Sequence, residues 1–174
     1  MTRLFKQFIF VVIFLHISFA SLAQIKVGSK APDFILSDQN SIQHQLSDYE
    51  GSWVILYFYP KDDTPGCTTQ ACDFRDAVKR IIASKSNVFG VSLDSVESHK
   101  RFADKNNLPF SLLSDESGEV SKAYESLNNF MSFKSAKRNT FIIDPDGKIA
   151  KIYISVKPST HSQMVLNDLN QLQN

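Results

Sequence analysis

The only two cysteines in the chain, Cys67 and Cys72, lie in the stretch TPGCTTQAC at positions 64–72. Two thiols at that spacing admit three chemistries: a structural disulfide, half of a metal site, or a reactive pair. Thr64 followed by Pro65 signals a helix start, with Thr64 as the N-cap and Pro65 at the first helical position, where its missing N–H costs nothing. Cys67 then falls in the first turn, where unpaired backbone N–H groups and the positive end of the helix dipole stabilise a thiolate. It also belongs to the stripe Cys67, Ala71, Phe74, Val78, Ile81, Ile82, so its sulfur faces the protein body. Five helical steps of about 1.5 Å and 100° carry the Cα of Cys72 about 8–9 Å away onto another face. Bridged cysteines need Cα atoms within roughly 7 Å, so a disulfide between these two requires the first turns to unwind. That geometry makes a poor staple, and it suits a redox couple linking a folded to a locally unwound state. Zinc competes weakly, because His44, His99 and His161 are isolated and not at ligand spacing; each reads as an ordinary surface or half-buried residue.

The elements that must position this pair follow from periodicity. WVILYFY (53–59) is a continuous apolar run, the pattern of a strand buried on both faces, and it ends just before the cysteine stretch. NVFGVSL (87–93) is a second such strand, and the helix after it begins with Ser95 as a cap. A short strand near FSLLSD, a helix around EVSKAYESL and a hairpin in TFIIDPDGKIAKIYISV follow, the hairpin turning at Asp144-Pro145-Asp146-Gly147. That turn lacks the alternating acids and distal Glu of a calcium loop. A last helix places Met164, Val165, Leu169 and Leu172 on one face. Phe130, Met131 and Phe133 read as core or pocket wall, with an interface as the alternative, and Lys61, Asp62 and Asp63 as solvated loop charges. Strands alternating with helices imply an α/β sandwich.

At 174 residues, with 43% hydrophobic and 11% aromatic content, the chain has the material for one domain with a real core. Arg3 and Lys6 precede an apolar run from Phe8 to about Ala20, with small residues at Ser21 and Ala23. This is the pattern of a signal peptide (1–23) cut near Ala23-Gln24, leaving a mature domain over 24–174. A retained membrane anchor is the competing reading, but the run is shorter than the roughly 20 residues a span needs. The formal charge of +1 becomes −1 without those 23 residues, 17 basic against 18 acidic, which gives no electrostatic case for nucleic acid. The mature protein is expected outside the cytoplasm, in a compartment such as a bacterial periplasm where disulfides persist.

The stretch YFYPKDDTPGCTTQACDFRD resembles the peroxiredoxins, and among them the Q-type or bacterioferritin comigratory protein group. It matches Pro60, Thr64 and Cys67 in a P-x3-T-x2-C arrangement, with Cys72 at the fifth position after the nucleophile. RNTFIIDPDGKI resembles the segment that supplies the family's arginine, matching Arg138, and KVGSKAPDFILSD resembles its N-terminal strand region. The resemblance covers most of 26–174. It implies a thioredoxin-like fold with an N-terminal extension, a central mixed sheet flanked by helices, and a peroxidase needing no cofactor or metal.

By the same resemblance Cys67 is the peroxidatic nucleophile, oxidised by a hydroperoxide to a sulfenic acid. Cys72 resolves it as an intramolecular disulfide that a thioredoxin-like protein reopens. Thr64 directs its hydroxyl at the thiolate and substrate oxygens, and Pro60 shields the pocket. Arg138 stabilises the thiolate and the charge on the leaving oxygen. Gln70 stands where many peroxiredoxins carry an acid, which leaves open whether a charge or only an amide orients the arginine. YESLNNFMSFKSAKRNT lacks the tryptophan and glycines common there in Q-type members, which leaves peroxide size preference open. Because the resolving cysteine is intramolecular, a monomer or weak dimer is expected. Two other functions compete: an exported thioredoxin-type disulfide reductase, against which the C-x4-C spacing speaks, and a non-enzymatic module with a structural disulfide.

Overall fold

The computed structural model of the protein describes residues 24–131 and 133–174, so the signal peptide expected over 1–23 lies outside the described residues. Its strands are β1 (Ile35–Asp38), β2 (Gln43–Gln45), β3 (Trp53–Phe58), β4 (Ser86–Ser92), β5 (Ser111–Ser114), β6 (Leu127–Phe130), β7 (Phe133–Ala136), β8 (Thr140–Ile143) and β9 (Ile149–Tyr153). Its helices are α1 (Pro65–Ala83), α2 (Val96–Asn106), α3 (Glu119–Ala123) and α4 (His161–Leu172). Seven strands form one sheet in the order β2-β1-β5-β4-β3-β8-β9, with β3, β4 and β5 parallel and the outer pairings antiparallel. β6 and β7 pair only with each other. The mixed sheet flanked by helices is the thioredoxin-like architecture that the sequence leads one to expect.

The period of two in β3 divides the core. Ile55 and Tyr57, continuing to Tyr59, pack under α1 and α4 with Cys67, Phe74 and Leu169, whereas Val54, Leu56 and Phe58 pack on the other face with Phe34, Tyr124 and Phe141. Both faces of this central strand are covered, which is why no polar residue interrupts it. Gly90 on β4 is required by this packing, because a Cβ there would sit 2.6 Å from the Tyr57 hydroxyl. The β8–β9 turn closes as its residues dictate, with Gly147 at φ +72° and Asp144 Oδ1 accepting the N–H groups of Asp146 and Lys148.

Several sequence expectations are corrected by the packing. The helix around EVSKAYESL stops at Ala123, because Glu125 takes φ +52° and Ser126 turns its carbonyl to the Lys137 N–H at the base of the β6–β7 hairpin. Among the described residues no layer covers that hairpin, and Phe130, Met131 and Phe133 are 71%, 87% and 82% exposed rather than core or pocket wall. On α1 Ile81 is buried while Ile82 points outward, since the helix buries a narrower stripe than its apolar residues suggest. α4 is rotated from the expected face: Val165, Leu166 and Leu169 are buried with His161 and Ser162, and Met164 and Leu172 are exposed.

Candidate active site

The loop from Pro60 to Thr64 joins the end of β3 to α1, and its sequence sets where the helix begins. Thr64 has the extended backbone of an N-cap and Pro65 opens the helix, as the pattern Thr-Pro requires. The Thr64 hydroxyl, however, does not cap: it donates to the Lys61 carbonyl at 3.0 Å, across the loop. Cys67 occupies the third helical position, within the turn whose N–H groups have no carbonyl a turn earlier to bond. Its side chain is 1% exposed, packed in the same cluster as Tyr57, Tyr59, Ala71 and Phe74. Both cysteines are free thiols, and Cys72 is half-buried on a different face of α1.

Arg138 reaches this sulfur from the loop between β7 and β8. Its Nη2 donates to Cys67 Sγ at 3.3 Å and its Nη1 to Gln70 Oε1 at 2.6 Å. A guanidinium fork can serve two acceptors one helical turn apart because its donors are fixed in a plane. The fork's placement is secured from behind: Arg138 O accepts from the Val156 N–H, and the next carbonyl, that of Asn139, accepts from the Phe58 N–H at the end of β3. Gln70 is fully buried, so the arginine is oriented by an amide and not by a carboxylate; the Gln70 Nε2 has no partner among the described residues. Lys137, beside Arg138, is exposed and donates to the Glu125 carbonyl, away from the sulfur.

The structure thus brings Cys67, Arg138 and Gln70 together, with half-buried Pro60 and Thr64 on the loop that leads into the helix. Two features escape a sequence reading. Gly66 lies against the arginine: a Cβ there would come 3.3 Å from Arg138 Nη2 and 3.6 Å from Pro158 Cγ. The glycine adjoining the cysteine was the available signal. The second is Asp62, expected as a solvated charge, which is only 5% exposed and bonded to His99 on α2; His99 and His161 are likewise fully buried rather than surface residues, whereas His44 is half-buried as expected. Among the described residues no three of His, Cys, Asp and Glu are grouped to hold a metal ion.

The chain is similar to known proteins over most of its length. The AhpC/TSA family matches residues 27–152. The peroxiredoxin Bcp of Bacillus subtilis is 40% identical over 152 residues, covering 85% of this chain and 97% of that protein. A chloroplastic peroxiredoxin Q of Sedum lineare is 40% identical over 151 residues, covering 86% of this chain and 81% of its own. Among solved structures, a PrxQ variant of Xylella fastidiosa superposes with a TM-score of 0.82 at 32% identity, over 87% of this chain and 99% of the other. The bacterioferritin comigratory protein of Xanthomonas campestris, in a structure concerned with its alkyl peroxide reduction activity, gives 0.80 at 30% identity over 86% and 100%. With a free, buried cysteine under an arginine at the head of a helix, and this similarity running through almost the whole folded region, the chain belongs to the AhpC/TSA family and is a thiol peroxidase of the Bcp and peroxiredoxin Q kind.

Proposed function

We propose that Cys67 is the nucleophile of a peroxidase acting on hydrogen peroxide and small organic hydroperoxides. The Cys67 thiolate attacks the terminal peroxide oxygen; an S–O bond forms, the O–O bond breaks, and the leaving oxygen departs as water or alcohol once protonated, leaving Cys67 as a sulfenic acid. Arg138 stabilises first the thiolate and then the charge growing on the leaving oxygen. The Thr64 oxygen, whose proton is committed to the Lys61 carbonyl, accepts a hydrogen bond from the hydroperoxide O–H. Pro60 walls the pocket against water. The first turns of α1 then unwind, the Cys72 sulfur attacks the sulfenic sulfur with loss of water, and a thioredoxin-like protein reduces the resulting disulfide.

The observation that carries this reading is the 3.3 Å contact from Arg138 Nη2 to Cys67 Sγ at the start of α1. Half-buried Cys72, in the same helix and also free, supports its assignment as the resolving partner. The apolar N-terminal run supports export with cleavage near Ala23-Gln24, and an intramolecular resolving cysteine supports a monomer or weak dimer.

The test gives pre-reduced protein one equivalent of hydrogen peroxide and follows thiol loss in the parent, Cys67→Ser and Cys72→Ser proteins. Rapid loss in the parent, none above background in Cys67→Ser and a trapped sulfenic acid in Cys72→Ser are expected. Peroxide consumption by Cys67→Ser at the parent's rate removes the assignment, and reduction of insulin disulfides without peroxide turnover would point to a thioredoxin-type reductase.

A further inference from the structure

The loop that delivers Cys67 is anchored by a buried polar cluster outside the pocket. Asp62 lies five residues before the cysteine, and its carboxylate accepts three hydrogen bonds: from Tyr59 Oη at 2.7 Å, Ser98 Oγ at 2.8 Å and His99 Nδ1 at 2.9 Å. A carboxylate can only accept, so His99 donates to it from Nδ1; the other ring nitrogen lies 3.3 Å from the Leu113 carbonyl on β5, also an acceptor. The Asp62 N–H is held as well, by Asp94 Oδ2 at 2.9 Å, and Asp94 is itself fixed by the Ser92 hydroxyl at 2.7 Å. His99 is completely buried. Burial pushes the Asp62 carboxyl up, yet the bonds from His99, Tyr59 and Ser98 outweigh it and hold the group below the usual carboxylate range.

An ionised side chain in a loop is expensive to bury, and a loop charge left in water would cost nothing. The position explains its presence. Residues on the α1 side of the loop must leave and regain their places whenever the first turns of the helix unwind, whereas Arg138 is held by the backbone bonds of its own loop. Unless the upstream end of the moving segment is fixed against the same sheet, nothing returns Cys67 to the guanidinium with the accuracy that reaction geometry demands. We propose that Asp62 and His99 form a positioning pair for the peroxidatic loop, pinning its start to α2 so that Cys67 is presented to Arg138 after each opening. The pair touches neither substrate nor sulfur; it acts on the peroxide step through the loop. This rests on Cys67 being the nucleophile.

The experiment measures two rate constants in separate mixing steps, peroxide attack on the reduced protein and disulfide formation from the sulfenic acid, in the parent, His99→Leu and His99→Asn. In His99→Leu peroxide attack slows about tenfold or more while disulfide formation is not slowed, because a looser anchor hinders closing and not opening. In His99→Asn the side-chain N–H replaces Nδ1 as donor to Asp62, and the attack rate returns to within about threefold of the parent. A cooperatively folded His99→Leu protein that attacks peroxide at the parent's rate overturns the proposal, as does an Asn variant as slow as the Leu variant or an equal slowing of both steps. Should His99→Leu fail to fold, Ser98→Ala removes one of the three bonds to Asp62 and is expected to slow attack about threefold, an unchanged rate overturning the proposal. Cys67→Ser, measured alongside, separates the two claims: activity there refutes the nucleophile, and a parent-like His99→Leu beside an inert Cys67→Ser refutes the positioning pair alone.

Discussion

Acid is expected to weaken this protein through the buried histidine that opens α4. His161 opens α4 with 1% of its surface exposed, its Nε2 2.9 Å from Thr140 Oγ1 and its Nδ1 unpartnered, with the rings of Phe74 and Tyr153 set edge-on against it. Burial lowers its pKa from 6.5 to about 4, only partly opposed by the Asp73 carboxylate. Above pH 6.5 the ring is neutral in folded and unfolded chains alike and stability does not depend on its titration. Below that value the unfolded chain takes up a proton that the folded one refuses, so stability falls with pH and levels off below about 4. A fall from 6.5 to about 4 corresponds to ~3 kcal/mol, of which about 2 kcal/mol is lost between pH 7 and pH 5. For a domain of this size that lowers Tm by about 4–8 °C. The depressed carboxyls of Asp38 and Asp62 act in a lower window, beneath their ordinary value of 3.8. Calorimetry of the reduced protein from pH 7.5 to 4.5, beside His161→Gln, tests this: the parent slopes downward and the variant flattens. A flat parent curve, or a variant that keeps the parent's slope, refutes it.

Three other substitutions probe the site and the exposed hairpin. Gly66→Ala places a methyl group 3.3 Å from Arg138 Nη2 without disturbing helical backbone, so peroxide attack slows about tenfold while Tm holds or rises slightly; stopped-flow kinetics with unchanged attack would show that the arginine has room to spare. Gln70→Leu removes both the acceptor for Arg138 Nη1 and a buried amide N–H without a partner, and is expected to reduce peroxide reactivity about tenfold with Tm within about 3 °C of the parent, a parent-like rate being the contrary result. Replacing Phe130 and Phe133 together by Ser costs under about 1 kcal/mol in urea unfolding if these rings stand in water, whereas a loss above about 2 kcal/mol means that they are packed.

What could be read from the sequence was local. The central strand announces itself because both its faces are buried and every position is apolar, and α1 does so because Thr64-Pro65 encodes a helix entry whatever surrounds it. The β8–β9 turn is legible because Gly147 supplies the positive φ and Asp144 accepts the turn's own N–H groups. Asp62 was misread for the opposite reason. Its neighbours Lys61 and Asp63 are exposed charges, and the partner that makes its burial tolerable lies 37 residues onward in another helix. His161 and Ser162 displaced Met164 and Leu172 from the buried face of α4 because Thr140 and Asp73 bind them from β8 and α1, and hydrophobicity carries no record of such bonds. The outward phenylalanines of the hairpin mark the same limit: apolar character says what a residue tolerates, and only the layer count says whether anything covers it.

The seal over Cys67 has an effect on the company this enzyme keeps. With 1% of that residue exposed while Cys72 stands half-open, the sulfur proposed as nucleophile favours slender reactants over broad ones. On that proposal a small hydroperoxide is expected to react in preference to the disulfide of a passing protein, which would spare the resting enzyme entanglement with bystanders.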